Sequence, residues 1–271
     1  MPSANALTIQ QVSRLIGLPE GPVLIDLRLP EDIAADPRLL PASQQRDHRD
    51  VAAWAPEFRG RDVILVCQKG LKLSEGAAAW LRHEGAMAQV LEGGFAAWRA
   101  ARMPLLEPAA IPPRDAAGRT VWVTRARPKV DRIACPWLIR RFVDPGAVFL
   151  FVAASQVELV ADRFGATPFD IEGVFWTHRG DGCTFDTMLE EFGLRTPTLE
   201  RLAMIVRGAE TARYDLAPQS AGLLAASLGL SRLHRDDLVQ LEAGLALYDA
   251  FHLWCRDATE EVHIWPNQDY A

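Results

Sequence analysis

Four consecutive apolar residues, Val63-Ile64-Leu65-Val66, run into Cys67-Gln68-Lys69-Gly70-Leu71-Lys72-Leu73-Ser74 and then into an alanine-rich stretch from Glu75 to Leu81. A short, mostly β-branched run without polar alternation predicts a strand buried on both faces, which is the signature of a parallel sheet. The alanine run predicts a helix packed on it, so Cys67 stands at the carboxyl end of a strand just before a helix. Backbone N–H groups of the loop and of the helix start converge at such a point. They would stabilise a thiolate or persulfide, with Lys69 and Lys72 adding charge nearby. Gly70 would let the loop take positive φ and curl round the sulfur. Read without these flanks, Cys67 is a small hydrophobe closing a buried strand.

The 271 residues suggest two domains, and 49% hydrophobic with 24% charged residues is an ordinary globular composition. No apolar run approaches the roughly 20 residues that span a bilayer. Met1 to Asn5 offer no basic or apolar leader, so the expected location is the cytoplasm. Four cysteines, at 67, 135, 183 and 255, form no C-x-x-C pair and read as free thiols. The net charge of −6 argues against nucleic acid as a partner.

Along the chain, Ala6 to Ile16 predicts a short helix with Thr8 as N-cap, Val23 to Leu27 a strand, Pro30 to Gln45 irregular structure and Asp47 to Phe58 a helix. Val63 to Val66, Glu75 to His83, Ala88 to Leu91 and Phe95 to Ala101 then alternate strand and helix, implying a parallel sheet. Pro104 to Arg119 is rich in proline and alanine. The expected division is a first domain over 1–106, a linker over 107–119 and a second domain over 120–271. In the second, a strand over Thr120 to Arg125 precedes a helix over at least Trp137 to Phe142, with Pro136 in its first turn or at a kink onto an earlier turn from Lys129. Beyond it the pattern predicts a strand over Val148 to Val152 and mainly helices, the last from about Arg235 to Arg256. The expected fold class is α/β, with flanking helices on a parallel sheet, followed by a mainly helical α+β domain.

Three segments of the first half together resemble rhodanese-like sulfurtransferases. They are Leu24-Ile25-Asp26-Leu27-Arg28, the six-residue loop Cys67 to Lys72, and the strand-to-helix turn Val90-Leu91-Glu92-Gly93-Gly94-Phe95-Ala96-Ala97-Trp98. The resemblance covers roughly residues 5 to 106. It implies a catalytic Cys67 that carries sulfur as a persulfide, with Gln68, Lys69, Gly70, Leu71, Lys72 and Arg28 binding the substrate. It also implies a small sulfur donor such as thiosulfate and a thiol or cyanide acceptor. Lys72 stands where the family often has arginine, and Leu73 where it often has a hydroxyl.

In the second half, Asp131-Arg132-Ile133-Ala134, Trp137-Leu138-Ile139-Arg140-Arg141-Phe142, Pro168-Phe169-Asp170, His178-Arg179-Gly180 and Cys183-Thr184-Phe185-Asp186 resemble the C-terminal domain of chromate-resistance B-type proteins. This resemblance covers roughly residues 118 to 258 and implies a role in chromate response or an associated sulfur and redox function. From the residues themselves two chemistries arise. The bases at 125, 127, 129, 132, 140 and 141 could bind an oxyanion such as chromate, or form a solvated face. On the last helix, Glu242 and Asp249 project within about 20° of one another at the border of an apolar face. Buried acids need a partner. With His178 they could hold a divalent metal; alternatively, they pair with the arginines of this half. The expected function is sulfur transfer through Cys67 linked to chromate or oxyanion response. The competing one is a sensing or regulatory protein without turnover.

Overall fold

The computed structural model describes residues 5–262, so the outer ends of the two expected domains, 1–4 and 263–271, lie outside the described residues. The first half builds a five-stranded sheet from β1 (Ala6–Leu7), β2 (Val23–Asp26), β3 (Gln44–Gln45), β4 (Asp62–Val66) and β5 (Met87–Leu91). The order is β1-β5-β4-β2-β3 and every pairing is parallel. Strand β4 is therefore central, as its unbroken apolar run requires. Its residues alternate between two cores. Val63, Leu65 and Cys67 join Trp54, Phe58, Ala77, Ala78 and Leu81 on one face, whereas Ile64 and Val66 join Phe95 and Trp98 on the other.

Helices α1 (Ile9–Leu15), α2 (Pro30–Ala35), α3 (Val51–Trp54), α4 (Lys72–His83) and α5 (Gly94–Ala100) connect the strands. Thr8 caps α1 in a capping box with Gln11, as its hydroxyl and position allow. Three local expectations change. Ala6 and Leu7, expected in the first helix, pair with β5 as strand β1. The stretch expected to be irregular contains α2, because Pro30 sits at a helix start where its missing N–H costs nothing. The helix expected from Glu75 begins three residues earlier, at Lys72, which draws Ser74 into its first turn.

The second half has a three-stranded parallel sheet, β6 (Val121–Arg125), β7 (Val148–Val152) and β8 (Thr167–Pro168), in the order β7-β6-β8. Around it lie α6 (Asp131–Leu138), α7 (Val157–Phe164), α8 (Thr184–Glu191), α9 (Pro197–Glu210), α10 (Ser220–Leu233) and α11 (Asp237–Leu253). Pro136 lies inside α6, which includes the earlier turn, and α6 runs on into a π-helical turn, Ile139–Val143. Proline removes one ladder hydrogen bond, and a wider turn is a known way to absorb the misfit.

The segment between the halves is pinned at both ends. Leu39 and Leu106 exchange backbone hydrogen bonds of 2.9 and 2.8 Å, and Arg114 bridges Thr120. One core then runs through both halves, from Val12, Leu24, Phe95 and Trp98 to Trp137, Phe142, Phe185 and Tyr248. Among the described residues no helix is long and apolar enough to cross a membrane.

Candidate functional site

Cys67 directly follows β4, on the face covered by α4, and 4% of the residue is exposed. Its Sγ lies 3.2 Å from Ser74 Oγ. Burial alone would raise the thiol pKa. Hydrogen bonding with the Ser74 hydroxyl, which also donates to Leu71 O at 3.0 Å, and from the backbone N–H groups of Ser74, Leu71 and Lys69 outweighs it, so the pKa falls below the ordinary thiol value. The lysines expected to supply charge are both exposed, and two loop amides, one amide of the first turn of α4 and one hydroxyl do the stabilising. Leu73 leaves no hydroxyl at its own position. The next residue, Ser74, supplies one; the early start of α4 turns it back onto the sulfur.

The loop shape rests on three glycines. Gly70 has φ +66°, and a Cβ there would meet Leu91 O at 2.4 Å. Gly94 has φ +60°, and a Cβ there would meet Cys67 O at 2.2 Å. This closeness lets the first amides of α5 serve the loop: Phe95 N–H donates to Cys67 O and Ala96 N–H to Gln68 O, each at 3.0 Å. The Gly93-Gly94 turn is thus the back wall of the cysteine loop.

Arg28, expected among the substrate-binding residues, turns its side chain into the fold. Its side chain is fully buried, donates to both oxygens of Asp26 (2.7 to 3.1 Å), and also donates to the Asp36 and Arg38 carbonyls. Its guanidinium lies 3.7 Å from the centre of the Phe95 ring. With its donors engaged inside the fold, it braces the strand end. At the carboxyl ends of β2 and β3 it borders a cavity of about 500 Å³, lined among others by Leu29, Glu31, Arg46, His48 and Arg49.

The expected grouping of His178 with Glu242 and Asp249 does not form. Glu242 Oε1 accepts from Arg140 Nη1 at 2.5 Å. Asp249 takes a two-pronged bond from Arg141, both contacts 2.8 Å, and a 2.8 Å bond from Trp137 Nε1. The acids at the apolar border are therefore neutralised by arginines of the turn after α6, the nearest cationic partners on the facing segment. His178 instead stands beside Asp131 and Asp170, and Glu210 joins them. Asp131 and Asp170 lie in quoted sequence motifs, whereas Glu210 comes from the end of α9 and carries no local signal.

A family model for the rhodanese-like domain matches residues 8–101, and one for the C-terminal domain of ChrB matches residues 122–255. Protein ChrB of Cupriavidus metallidurans is 38% identical over 142 residues, covering 51% of this chain and 42% of that protein's length. Among solved structures, a rhodanese-related protein from Thermoplasma volcanium is 17% identical, covering 38% of this chain and 97% of its own, with a TM-score of 0.33. A rhodanese homolog from Thermus thermophilus is 31% identical, covering 34% of this chain and 96% of its own, with a TM-score of 0.28.

Proposed function

From a chain that belongs to the rhodanese-like family over residues 8–101 and to the ChrB C-terminal family over 122–255, we propose a sulfurtransferase that serves chromate resistance. The observation that carries this reading is the Cys67 sulfur held by a hydroxyl and converging backbone amides at the end of the central strand. The Cys67 thiolate attacks the outer sulfur of a donor such as thiosulfate. The new S–S bond forms as the donor's S–S bond breaks, sulfite leaves with the bonding pair, and Cys67 holds a persulfide. A nucleophilic acceptor then takes the outer sulfur and the thiolate is restored. The loop amides that stabilise the thiolate also suit the persulfide anion, so both states share one cradle. The lysines at 69 and 72, exposed at the loop rim, would attract an anionic donor.

The resemblance of the second half to chromate-resistance B-type proteins, together with its match to the ChrB C-terminal model and to Protein ChrB, supports placing this activity in chromate response. A thiol sensor without turnover is the second reading, favoured by the small exposure of Cys67. Mass spectrometry after incubation with thiosulfate tests both. One added sulfur on Cys67, released as thiocyanate by cyanide over many turnovers, is expected; Cys67→Ala should lose it and Cys255→Ala should keep it. Sulfur found on Cys135, which is fully buried, would overturn the assignment. A persulfide that forms once and does not turn over would leave the sensor.

A further inference from the structure

The second half repeats the placement seen at Cys67, with chemistry of another kind. Asp131 opens α6 shortly after the carboxyl end of β6, and Asp170 follows the carboxyl end of β8. Ligand sites of open parallel sheets lie at this edge. His178 comes from the glycine-bounded turn beyond, and Glu210 from the last residue of α9. One ligand atom from each of these four residues can be chosen so that all lie within 4.8 Å of one another.

Several bonds hold the acids in place. Thr184, at the start of α8, donates its N–H to Asp131 Oδ2 at 2.6 Å and its hydroxyl to Asp170 Oδ1 at 2.8 Å. Glu210 Oε2 accepts from the Asp131 N–H at 3.2 Å. His178 Nε2 lies 3.4 Å from Asp131 Oδ2 and 3.6 Å from Asp170 Oδ1. Arg132 and Arg125 approach only Asp170, at 3.3 and 3.5 Å from Oδ2.

What this arrangement leaves over is the Asp131 carboxylate. Its side chain is fully buried, and its charged partner is His178, which hydrogen bonding to Asp131 and then to Asp170 raises to about 10; no arginine or lysine pairs with it among the described residues, and its Oδ1 has no hydrogen-bond partner. Asp170 Oδ2 likewise has no hydrogen-bond donor in good geometry. A buried carboxylate oxygen without a donor is costly, and purely structural acids of this half, such as Asp249, are fully paired. The surplus negative charge is felt by its neighbours. Burial and the charges of Asp131 and Asp170 push Glu210 up to about 7.

We propose that Asp131, Asp170, His178 and Glu210 form a binding site for one divalent first-row cation. Three carboxylates with one imidazole suit Mn²⁺, Fe²⁺ or Zn²⁺ better than a thiophilic ion such as Cu⁺. Thr184 would act as the outer group that orients two of the ligating carboxylates. His178, with 42% of its side chain exposed, marks the way in from solvent. This site is separate from Cys67, and its test does not depend on sulfur transfer.

The experiment is titration of tag-free full-length protein with Mn²⁺ and, separately, Zn²⁺, read by elemental analysis after gel filtration and by the rise in melting temperature. Ligand binding to the native state alone raises stability as RT ln(1 + [L]/Kd). One ion per chain is expected, with at least a tenfold loss of affinity in His178→Ala and in Glu210→Gln. His178 is exposed enough for its variant to fold, which circular dichroism checks. Glu242→Gln should bind as the wild type does, because Glu242 is held by Arg140. No binding of either ion at millimolar concentration would overturn the proposal. So would binding that His178→Ala and Glu210→Gln leave unchanged.

Discussion

Ser74 shows how one residue can decide the chemistry of another. Cys67 is buried, which by itself favours the neutral thiol, and its pKa nonetheless falls because a hydroxyl and three amides point at the sulfur. Ser74→Ala removes the hydroxyl while leaving α4 intact, since alanine is the better helix former. The Cys67 pKa should rise in this variant. The midpoint of the rate of alkylation by iodoacetamide against pH should move to higher pH, and thiosulfate turnover at pH 7 should fall severalfold. An unchanged midpoint would mean that the amides hold the thiolate alone. The residue scale is also where the sequence was least legible. Arg28 is expected among the substrate-binding residues, but its guanidinium is sealed under Phe95 with both prongs on Asp26. The acid two residues before it is legible as its partner; the aromatic ring that covers the pair comes from α5 and is not.

At the scale of elements, the cysteine loop, α4 and the Gly93-Gly94 turn form one interlocked unit. Gly70→Ala would put a Cβ 2.4 Å from the Leu91 carbonyl at φ +66°, a position where L side chains are strained and the obstacle is backbone. The substitution should cost more than about 1 kcal/mol and abolish turnover. Gly76, inside α4, has open space where a Cβ would go. Gly76→Ala should therefore stabilise by up to about 1 kcal/mol with turnover unchanged. Urea denaturation of the two variants checks both signs. The elements of this unit were readable in the sequence, because a buried strand, a glycine loop and an alanine helix adjoin along the chain and each has its own period. Glu242 and Asp249 were readable as a pair needing a partner, arginine or a metal, but which arginines would meet them was not. Arg140 and Arg141 meet them from more than 100 positions away. The acid cluster around His178 likewise draws on α6, the end of β8 and α9, and no periodicity within one element points to such a meeting.

For the whole molecule, the consequence of one shared core is that the halves should not unfold separately. Gly17 faces Phe142 so closely that a Cβ would lie 2.4 Å from the ring, and Ala42 N–H donates to Phe142 O at 2.7 Å. A cavity of about 260 Å³ lies at this junction, lined among others by Ile16, Trp98, Phe142, Leu199 and His252. His252 is the titratable group best placed to report on it. It packs on the rings of Trp137 and Phe142 and is 5% exposed, and its Nδ1 has no hydrogen-bond partner. Burial, reinforced by the charge of Arg256 and only partly offset by Asp249 and Asp257, lowers its pKa from 6.5 to about 4. Between those values the unfolded chain binds a proton that the folded chain refuses. Stability is thus fully present above the unfolded value and is lost as pH falls toward 4. The shift corresponds to a loss of up to about 3 kcal/mol. Calorimetry at pH 7, 6, 5 and 4 should show a single transition whose midpoint falls across this window, and His252→Phe, which cannot take up the proton, should flatten that fall. Two resolved transitions would mean that the junction does not couple the halves. A pH dependence unaltered in His252→Phe would assign the loss to the carboxylates, such as Asp186, whose Arg207 partner holds it ionised despite burial.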